Sequence, residues 1–211
     1  HPSPTVVDLG VYIDDQLSMS AHASRLSRTC FFQLRQIRSI RRSLSTDATI
    51  TLINAFVSSR LDYCNSLLYK ISDSLLVKLQ RIQNAAARLV VGGRRNDHII
   101  PVLRQLHWLP VRQRIKFKVA TLVYKCLHGT APAYLARHCI PVASLSGRQN
   151  LRSAASNELF TPRTRTVLAG SRPFSVCGPA VWNSLPVELR SNEQSLSSFR
   201  KGLKTFLFQQ L

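Results

Sequence analysis

Apolar residues recur at steps of three, four or seven positions over residues 21–44, which is the spacing of one face of an α-helix. The apolar face of this predicted helix consists of Leu26, Cys30, Leu34, Ile37 and Leu44. At about 100° per residue, an arc of about 80° beside that face holds four arginines. They are Arg28, Arg35, Arg38 and Arg42. The pattern predicts one helix with a buried face and an adjacent arginine face.

A second helix is predicted over about residues 48–60. Residues 45–47 (Ser-Thr-Asp) are favourable N-caps for it, and its apolar spacing turns Leu52 and Phe56 inward. The polar residues at 62–65 are expected to end it.

Two further helices have regular apolar spacing and clear ends. The third begins at Ser72 and Asp73, ends at Gly92–Gly93, and has an apolar stripe of Leu75, Leu79, Ile82, Ala86 and Leu89. The fourth covers about 111–127, stops at Gly129, and has an apolar stripe of Ile115, Val119, Leu122 and Cys126. Its predicted basic stripe consists of Arg114, Lys118 and Lys125.

The two ends of the chain carry different patterns. Residues 6–17 predict one or two short strands with a turn near Gly10. Beyond residue 140 the composition becomes rich in Ser, Arg and Pro, with possible short strands at 159–160 and 174–177 and a terminal helix over 195–211. We therefore predict a mainly α fold, a basic amphipathic helical bundle with a short N-terminal strand segment and a mixed, partly β C-terminal region.

The charge of the chain is strongly unbalanced. It has 29 Lys and Arg residues against 10 Asp and Glu over 211 positions, for a formal net charge of +19. Arginine offers phosphate oxygens a planar fork of donors and stays charged at cellular pH. Nucleic acid is the expected partner, and a basic ribosomal or membrane-surface protein is the alternative.

Composition also bears on location. No apolar stretch reaches the roughly 18 uncharged residues of a membrane-spanning helix, because Lys or Arg interrupts each one, so no membrane partner is expected. The five scattered cysteines fit reduced core thiols of an intracellular protein, in the nucleus or the cytoplasm. The chain begins at His1 rather than Met, and we expect it to be a fragment of a longer protein.

The basic residues are grouped into clusters and helical stripes. Backbone phosphates are the natural ligands of such groups and give affinity without sequence choice. The candidate nucleic-acid-binding residues are Arg28, Arg35, Arg38, Arg41, Arg42, Arg81, Arg88, Arg94, Arg95, Arg112, Arg114, Lys116, Lys118 and Lys125. Phe117 and Tyr124, opposite the apolar stripe of the fourth helix, form either a base-stacking platform or, as we favour, a second buried face.

Two patterns resemble catalytic or metal sites but lack the rest of the chemistry. Residues 12–15 (Tyr-Ile-Asp-Asp) match a metal-binding turn of reverse transcriptases, yet two-metal catalysis needs a further carboxylate from a separate upstream strand. Solvated aspartates at a strand end are the favoured interpretation. Cys126, His128, His138 and Cys139 are suitable zinc ligands without a zinc spacing. The sequence has neither a nucleophile elbow nor a Gly-rich phosphate loop, so no catalytic residue and no metal ligand is assigned.

Long strings of the sequence match one family. With x for a position outside the match, they are LGVxxDxxL at 9–17, CFFQLRQIRSIRRSL at 30–44, FVxxRLDYCNSLLY at 56–69, LQRIQNAAAR at 79–88, LHWLPVRQRI at 106–115, YKCLHG at 124–129 and GPxVWNSLP at 178–186. With these strings the chain resembles, over essentially its whole length, the region just after the polymerase palm in the reverse transcriptases of jockey-like, LINE-type non-LTR retrotransposons.

The resemblance implies that the chain is part of an RNA-directed DNA polymerase. The element's RNA would be the template, and nicked target DNA would be the primer. The resemblance also implies that residues 1–20 are a remnant of the palm–thumb junction, 21–139 a helical thumb-like region and 140–211 a C-terminal segment. In this family the segment with Asp14 and Asp15 lies downstream of the catalytic turn, so neither inherits a metal-binding role. The catalytic palm, the fingers and the endonuclease are expected outside this chain, and Mg²⁺ with them, so the chain itself is expected to need no cofactor.

The resemblance leaves the role of the chain by itself open. The first hypothesis is a non-catalytic fragment that grips RNA, DNA or their hybrid through phosphate contacts, with the palm and fingers as its protein partners. The alternatives are a host-retained helical module that binds protein and an unselected genomic relic without a function of its own.

Overall fold

Helices make up most of the structure, a computed structural model that describes residues 4–94, 96–147, 156–165, 169–191 and 194–211. The chain divides into two compact units, His1–Arg114 and Ile115–Leu211. A two-stranded antiparallel sheet lies near the start of the first unit. The prediction of a mainly α fold with a short N-terminal strand segment is confirmed. The division at residues 20 and 139 stays a prediction.

The first unit begins with a β-hairpin formed by strands β1 (Thr5–Asp8) and β2 (Val11–Asp14). The paired residues are Thr5 and Asp14, Val6 and Ile13, Val7 and Tyr12, and Asp8 and Val11. Leu9 and Gly10 connect the strands with φ angles of 44° and 79°, which suit a two-residue turn between twisted strands. The predicted turn near Gly10 is confirmed.

Helix α1 (Ser20–Ile40) follows the hairpin. In the loop before it, the Ser18 backbone N–H donates to Asp14 Oδ1 at 2.7 Å. The buried apolar residues of the helix are Ala23, Leu26, Cys30, Leu34 and Ile37, which confirms the predicted inner face. The helix ends earlier than predicted, because a 3₁₀ turn (Arg41–Ser43) replaces its last turn, and Leu44 lies outside it.

The next helical segment changes type along its length. Helix α2 (Thr46–Ile53) passes into a π-helical turn (Asn54–Ser58) and then into α3 (Ser59–Asp62). Ser45 is the N-cap, and its hydroxyl accepts the Ala48 N–H at 3.1 Å, within the predicted capping triplet.

The π-helical turn corrects one core prediction. Phe56, expected to face inward, is 41% exposed, while Ile53 and Val57 are fully buried. A π turn widens the helix, so it shifts which side chains face the core from the positions of a regular 3.6-residue repeat. The predicted end of the segment is confirmed, because the helix stops at Asp62 and Cys64 takes a φ of 50°.

Helix α4 (Asp73–Val91) packs against α1 and ends as predicted. Gly92 takes a φ of 67° and donates its N–H to the Arg88 carbonyl, which closes the helix. Along the buried face Leu76 replaces the predicted Leu75, which is half-exposed. The other predicted stripe residues, Leu79, Ile82, Ala86 and Leu89, are buried.

A short helix that the sequence pattern does not predict follows, α5 (Ile99–Gln105). Pro101 lies in its first turn, where a missing N–H costs nothing. The segment after it is held by two amide side chains of α4: Gln83 donates to the Leu109 carbonyl at 2.8 Å and Gln80 accepts the Val111 N–H at 2.9 Å.

Helix α6 (Val111–Leu127) has the predicted bounds, and the second unit begins within it. The core of that unit includes Val119, Trp182, Phe199 and Leu203, all fully buried. Within the described part of this unit, the further α-helices are α7 (Ala133–Ala136), α8 (Phe174–Asn183) and α9 (Leu196–Gln209).

The predicted strand at 174–177 is wrong, because these residues form the first turns of α8. Gly178 allows this helix to approach α6, since a Cβ at that position would lie 3.2 Å from the Val123 side chain. The predicted strand at 159–160 is reduced to an isolated antiparallel bridge between Pro141 and Leu159. The side chain of Asn183 holds this segment by accepting the Leu159 N–H and donating to its carbonyl, both at 2.8 Å.

The terminal helix α9 confirms the prediction for residues 195–211. Ser195 caps it by accepting the Ser198 N–H at 3.1 Å. Its buried face consists of Phe199, Leu203 and Leu207.

Candidate nucleic-acid interface

The arginine face of α1 is exposed to solvent as a group. Arg28, Arg35 and Arg38 are all exposed, and they span ten residues, or about 15 Å along the helix. Arg42 is exposed in the 3₁₀ turn that follows. The structure therefore places three of the predicted residues along one edge of the first unit's longest helix, beside its buried stripe, and a fourth in the turn that follows.

Arg41 lies in the same cluster but points elsewhere. Its Nε donates to the Leu89 carbonyl at 3.0 Å and its Nη2 to the Val90 carbonyl at 2.9 Å, while Nη1 reaches the Leu44 carbonyl at 2.9 Å. These carbonyls include two of those left without helical partners at the end of α4. Arg41 thus ties the end of α1 to the end of α4.

The candidate residues of α4 and the segment after it have different surroundings. Arg81 and Arg94 are exposed. Arg88 is half-buried and donates from Nη2 to the Asp97 carbonyl at 3.2 Å, while the Asp97 carboxylate accepts the Arg94 N–H at 2.6 Å. Arg95 lies outside the described residues.

Two candidates at the start of α6 are engaged by carboxylates. Arg114 is held from two sides, by Asp62 Oδ2 at 2.6 Å and by the Leu109 carbonyl at 3.0 Å. Arg112 forms an exposed ion pair with Asp73 at 2.5 Å. Such pairs reduce the charge that these two arginines offer to a phosphate.

The second unit carries the lysine candidates. Lys118 is exposed, and Lys116 and Lys125 are half-exposed. The same unit also exposes Arg200, whose guanidinium lies 5.8 Å from the centre of the Phe117 ring.

The aromatic pair of α6 is not a stacking platform. Tyr124 is only 4% exposed, and its ring stacks on those of His128 and Phe199 at centroid distances of 3.8 and 4.6 Å. Its hydroxyl donates to the Gln194 carbonyl. The favoured interpretation, a second buried face, is therefore confirmed for Tyr124, because its ring is enclosed by side chains of its own unit.

A basic and aromatic groove in the first unit was not predicted. It has a volume of about 750 Å³, and its lining includes Tyr12, Arg25, Arg60 and Tyr63. Arg25 lies 6.0 Å from the centre of the Tyr12 ring, and the Tyr63 hydroxyl donates to the Leu9 carbonyl at 2.7 Å. The sequence does contain a signal for Arg25 in this groove. Arg25 lies three positions before Arg28, about one helical turn, so the helical spacing of the arginines extends to it.

Asp14, the last residue of β2, and Asp15, which follows it, have different surroundings. Burial raises the pKa of the Asp14 carboxyl, but hydrogen bonds from Ser18 and the next backbone amides outweigh it, and the pKa is lowered. Asp15 is exposed as expected. Asp14 thus fixes the loop that enters α1, which goes beyond the predicted solvated carboxylate.

The cysteines are free thiols, four of them buried. Burial raises the pKa of Cys30 to about 11 and that of Cys139 to about 12. The neighbouring Cys126 thiol also raises the pKa of Cys139. Over the described ranges, no three His, Cys, Asp or Glu side chains come together as a metal-binding group.

Comparison with protein-family models, with curated proteins and with solved structures gives no match to this chain. In the part of the chain that the structure describes, no helix is long and apolar enough to cross a membrane.

Proposed function

We propose that this chain is the thumb-side, non-catalytic part of an RNA-directed DNA polymerase of the jockey-like non-LTR retrotransposon type. Its basic helices bind RNA, DNA or their hybrid through backbone phosphates. The observation that carries the proposal is the exposed row of Arg28, Arg35 and Arg38 along α1, followed by the exposed Arg42 in the 3₁₀ turn after it.

Phosphate contacts suit this role physically. A template–primer duplex slides during polymerisation, and contacts that ignore base edges permit every register equally. Arginines on a packed helix keep fixed spacing, because α1 is held by its buried face against α4. The row therefore offers guanidinium groups at defined distances without a sequence preference.

The chemistry of polymerisation is assigned to the palm of the parent polymerase and not to this chain. Asp14 and Asp15 keep no metal-binding role in the proposal. The chain contributes the phosphate contacts that hold the nucleic acid, and its protein partners are the palm and fingers.

The test is binding of fluorescent duplexes of unrelated sequence, measured by anisotropy at fixed moderate salt. Replacing Arg35, Arg38 and Arg42 by Gln is expected to weaken binding about tenfold or more on every sequence alike. The matched control replaces the exposed Arg137, Arg163 and Arg165 by Gln, which removes the same charge outside the candidate set. Equal effects of the two triple variants would contradict the proposed face.

A protein-interaction module is the second candidate, favoured by one observation. The hairpin exposes large apolar side chains, with Val6 62%, Val7 55% and Leu9 82% exposed. Exposed apolar strand edges are sites of association with other chains. A tight complex with a purified protein partner, blocked by Val7→Lys, together with no duplex binding at moderate salt, would favour this candidate over the first.

A further inference from the structure

A pocket of about 470 Å³ lies where the ends of α1 and α4 meet within the first unit. Its lining includes three arginines, Arg38, Arg41 and Arg88, and the glycine pair Gly92 and Gly93. We propose that this pocket binds a phosphate group. The proposal deepens the proposed function by naming a discrete phosphate site, and only the natural source of the phosphate rests on that function.

The charge in the pocket is the first argument. Among the described residues, the ion pairs engage Arg112, Arg114 and Arg190, and none of the pocket arginines. Three like charges around one pocket repel each other, and a bound anion relieves that repulsion. A cation is disfavoured for the same reason.

The hydrogen-bond donors are the second argument. Arg88 Nε is buried and has no hydrogen-bond partner among the described residues. A buried donor without an acceptor is costly, and a phosphate oxygen beside it would remove that cost. The other end of the guanidinium is anchored on the Asp97 carbonyl, so the donor is held in place before a ligand arrives.

Arg41 adds a positive charge that is held at a fixed position in the pocket lining. Three of the five N–H donors of an arginine are committed here to backbone carbonyls, which fixes the guanidinium plane. Its charge also offsets the partial negative charge at the end of α4, which would otherwise repel an anion.

The glycines supply space and not donors. The N–H groups of Gly92 and Gly93 both bond to the Arg88 carbonyl to close α4. A Cβ at Gly92 would meet nothing within 4 Å, whereas one at Gly93 would lie 3.2 Å from Asp97 Oδ2, so the pocket is open at Gly92 and bordered by a carboxylate at Gly93. The volume exceeds that needed by a single inorganic ion and admits a phosphate carried on a larger molecule, either a free phosphate compound or a nucleic-acid strand.

The experiment titrates the whole chain with pyrophosphate by calorimetry and follows the Arg Nε–Hε signals by NMR. The pocket variant Arg38→Gln/Arg88→Gln is expected to lose affinity about tenfold or more, as for loss of charge-assisted hydrogen bonds. The control Arg137→Gln/Arg163→Gln removes the same charge at exposed positions outside both the pocket lining and the candidate set, and its affinity is expected to stay within about twofold.

Should the pocket variant fail to fold, Arg88→Lys replaces it, because lysine keeps the charge but lacks the planar fork. Affinity unchanged in a folded Arg88→Lys protein, equal losses in the two double variants, or no saturable pyrophosphate binding would each overturn the proposal. Equally tight binding of a polyglutamate peptide would overturn its preference for phosphate.

The source of the phosphate is separated by a second arm with oligonucleotides that carry a 5′-phosphate or a 5′-hydroxyl. A preference for the 5′-phosphate that disappears in the pocket variant supports the site and assigns it to a strand end. Pyrophosphate binding without that preference supports the site and assigns it to a free phosphate compound or an internal phosphate. If the chain binds duplex but not pyrophosphate, the proposal of a phosphate site in the pocket is overturned. The proposed function is left intact by that result.

Discussion

The outer edge of α1 and the junction between the ends of α1 and α4 both contain arginine, but the same side chain acts differently in the two places. Arg35 and Arg38 are exposed to water along the helix. Arg41, three positions after Arg38, bonds to three backbone carbonyls. The difference follows from position, because Arg41 lies just beyond the end of α1, where its side chain reaches the unsatisfied carbonyls at the end of α4.

The arginines of one basic cluster in the sequence therefore do not form one functional unit. Arg41 and Arg114 hold elements of the first unit together, whereas Arg28, Arg35 and Arg38 leave their charge to solvent or to a ligand. The number of basic residues alone therefore overstates how many arginines are available to bind phosphate. Variants that separate an effect on stability from an effect on binding test this distinction.

The largest expected effect is on stability. Arg41→Ala removes three charge-assisted hydrogen bonds and leaves carbonyls at the end of α4 without partners, so the free energy of unfolding should fall by about 3 kcal/mol. The neighbouring exposed Arg42→Ala should change it by less than about 0.5 kcal/mol. Urea denaturation followed by circular dichroism measures both, and equal losses would remove the distinction between the two arginines.

A rise in pH should affect the buried face of α1, which contains Cys30, but not the charge of the arginines on its outer edge. The buried Cys30 thiol has its pKa raised to about 11 from an ordinary value of 9.0. Its contribution to stability is complete below pH 9 and is lost as the pH rises through 11, a decrease on the order of 2 kcal/mol. The arginines stay charged over this range, so duplex binding by the folded protein should persist.

The control for this pH effect is Cys30→Ala, which lacks the titrating group. Its unfolding free energy should fall less between pH 9 and pH 11 than that of the natural chain. Identical pH slopes in the two proteins would show that another group dominates.

The smallest expected effects compare two ion pairs of α6. Arg114 is mostly buried and bonds to both Asp62 and Leu109, so Arg114→Ala should cost about 1 to 2 kcal/mol. Arg112 and Asp73 are exposed, so Arg112→Ala should cost less than about 0.5 kcal/mol. Thermal unfolding at low and high salt checks this, and a large salt-sensitive loss in Arg112→Ala would reverse the ranking.

Helices with clear caps and steady apolar spacing are predictable from the sequence. The bounds of α6 and the glycine end of α4 follow from local signals, because caps and periodicity act within a few residues. The π turn, α5 and α8 do not follow, since tertiary packing overrides the local preferences there. In α8 a Gly-Pro pair lies inside the helix, where Gly178 permits a close contact with α6.

The same limit applies to the candidate interface. The exposed row on α1 follows from helical periodicity alone. The role of Arg41 does not, because its partners Leu89 and Val90 lie 48 and 49 positions away in the sequence. Arg114 and Asp62 are likewise 52 positions apart. No local pattern distinguishes an arginine that binds phosphate from one that binds a distant carbonyl.

We propose that the outer arginines of α1 hold nucleic acid through phosphates, and the salt dependence of duplex binding is the test of this proposal. A plot of log K against log salt concentration should flatten by up to about one unit for each phosphate that the Arg35, Arg38 and Arg42 triple variant no longer neutralises. The Arg137, Arg163 and Arg165 triple variant should keep the natural slope. A natural slope in the first variant, or the same flattening in both, would contradict the account.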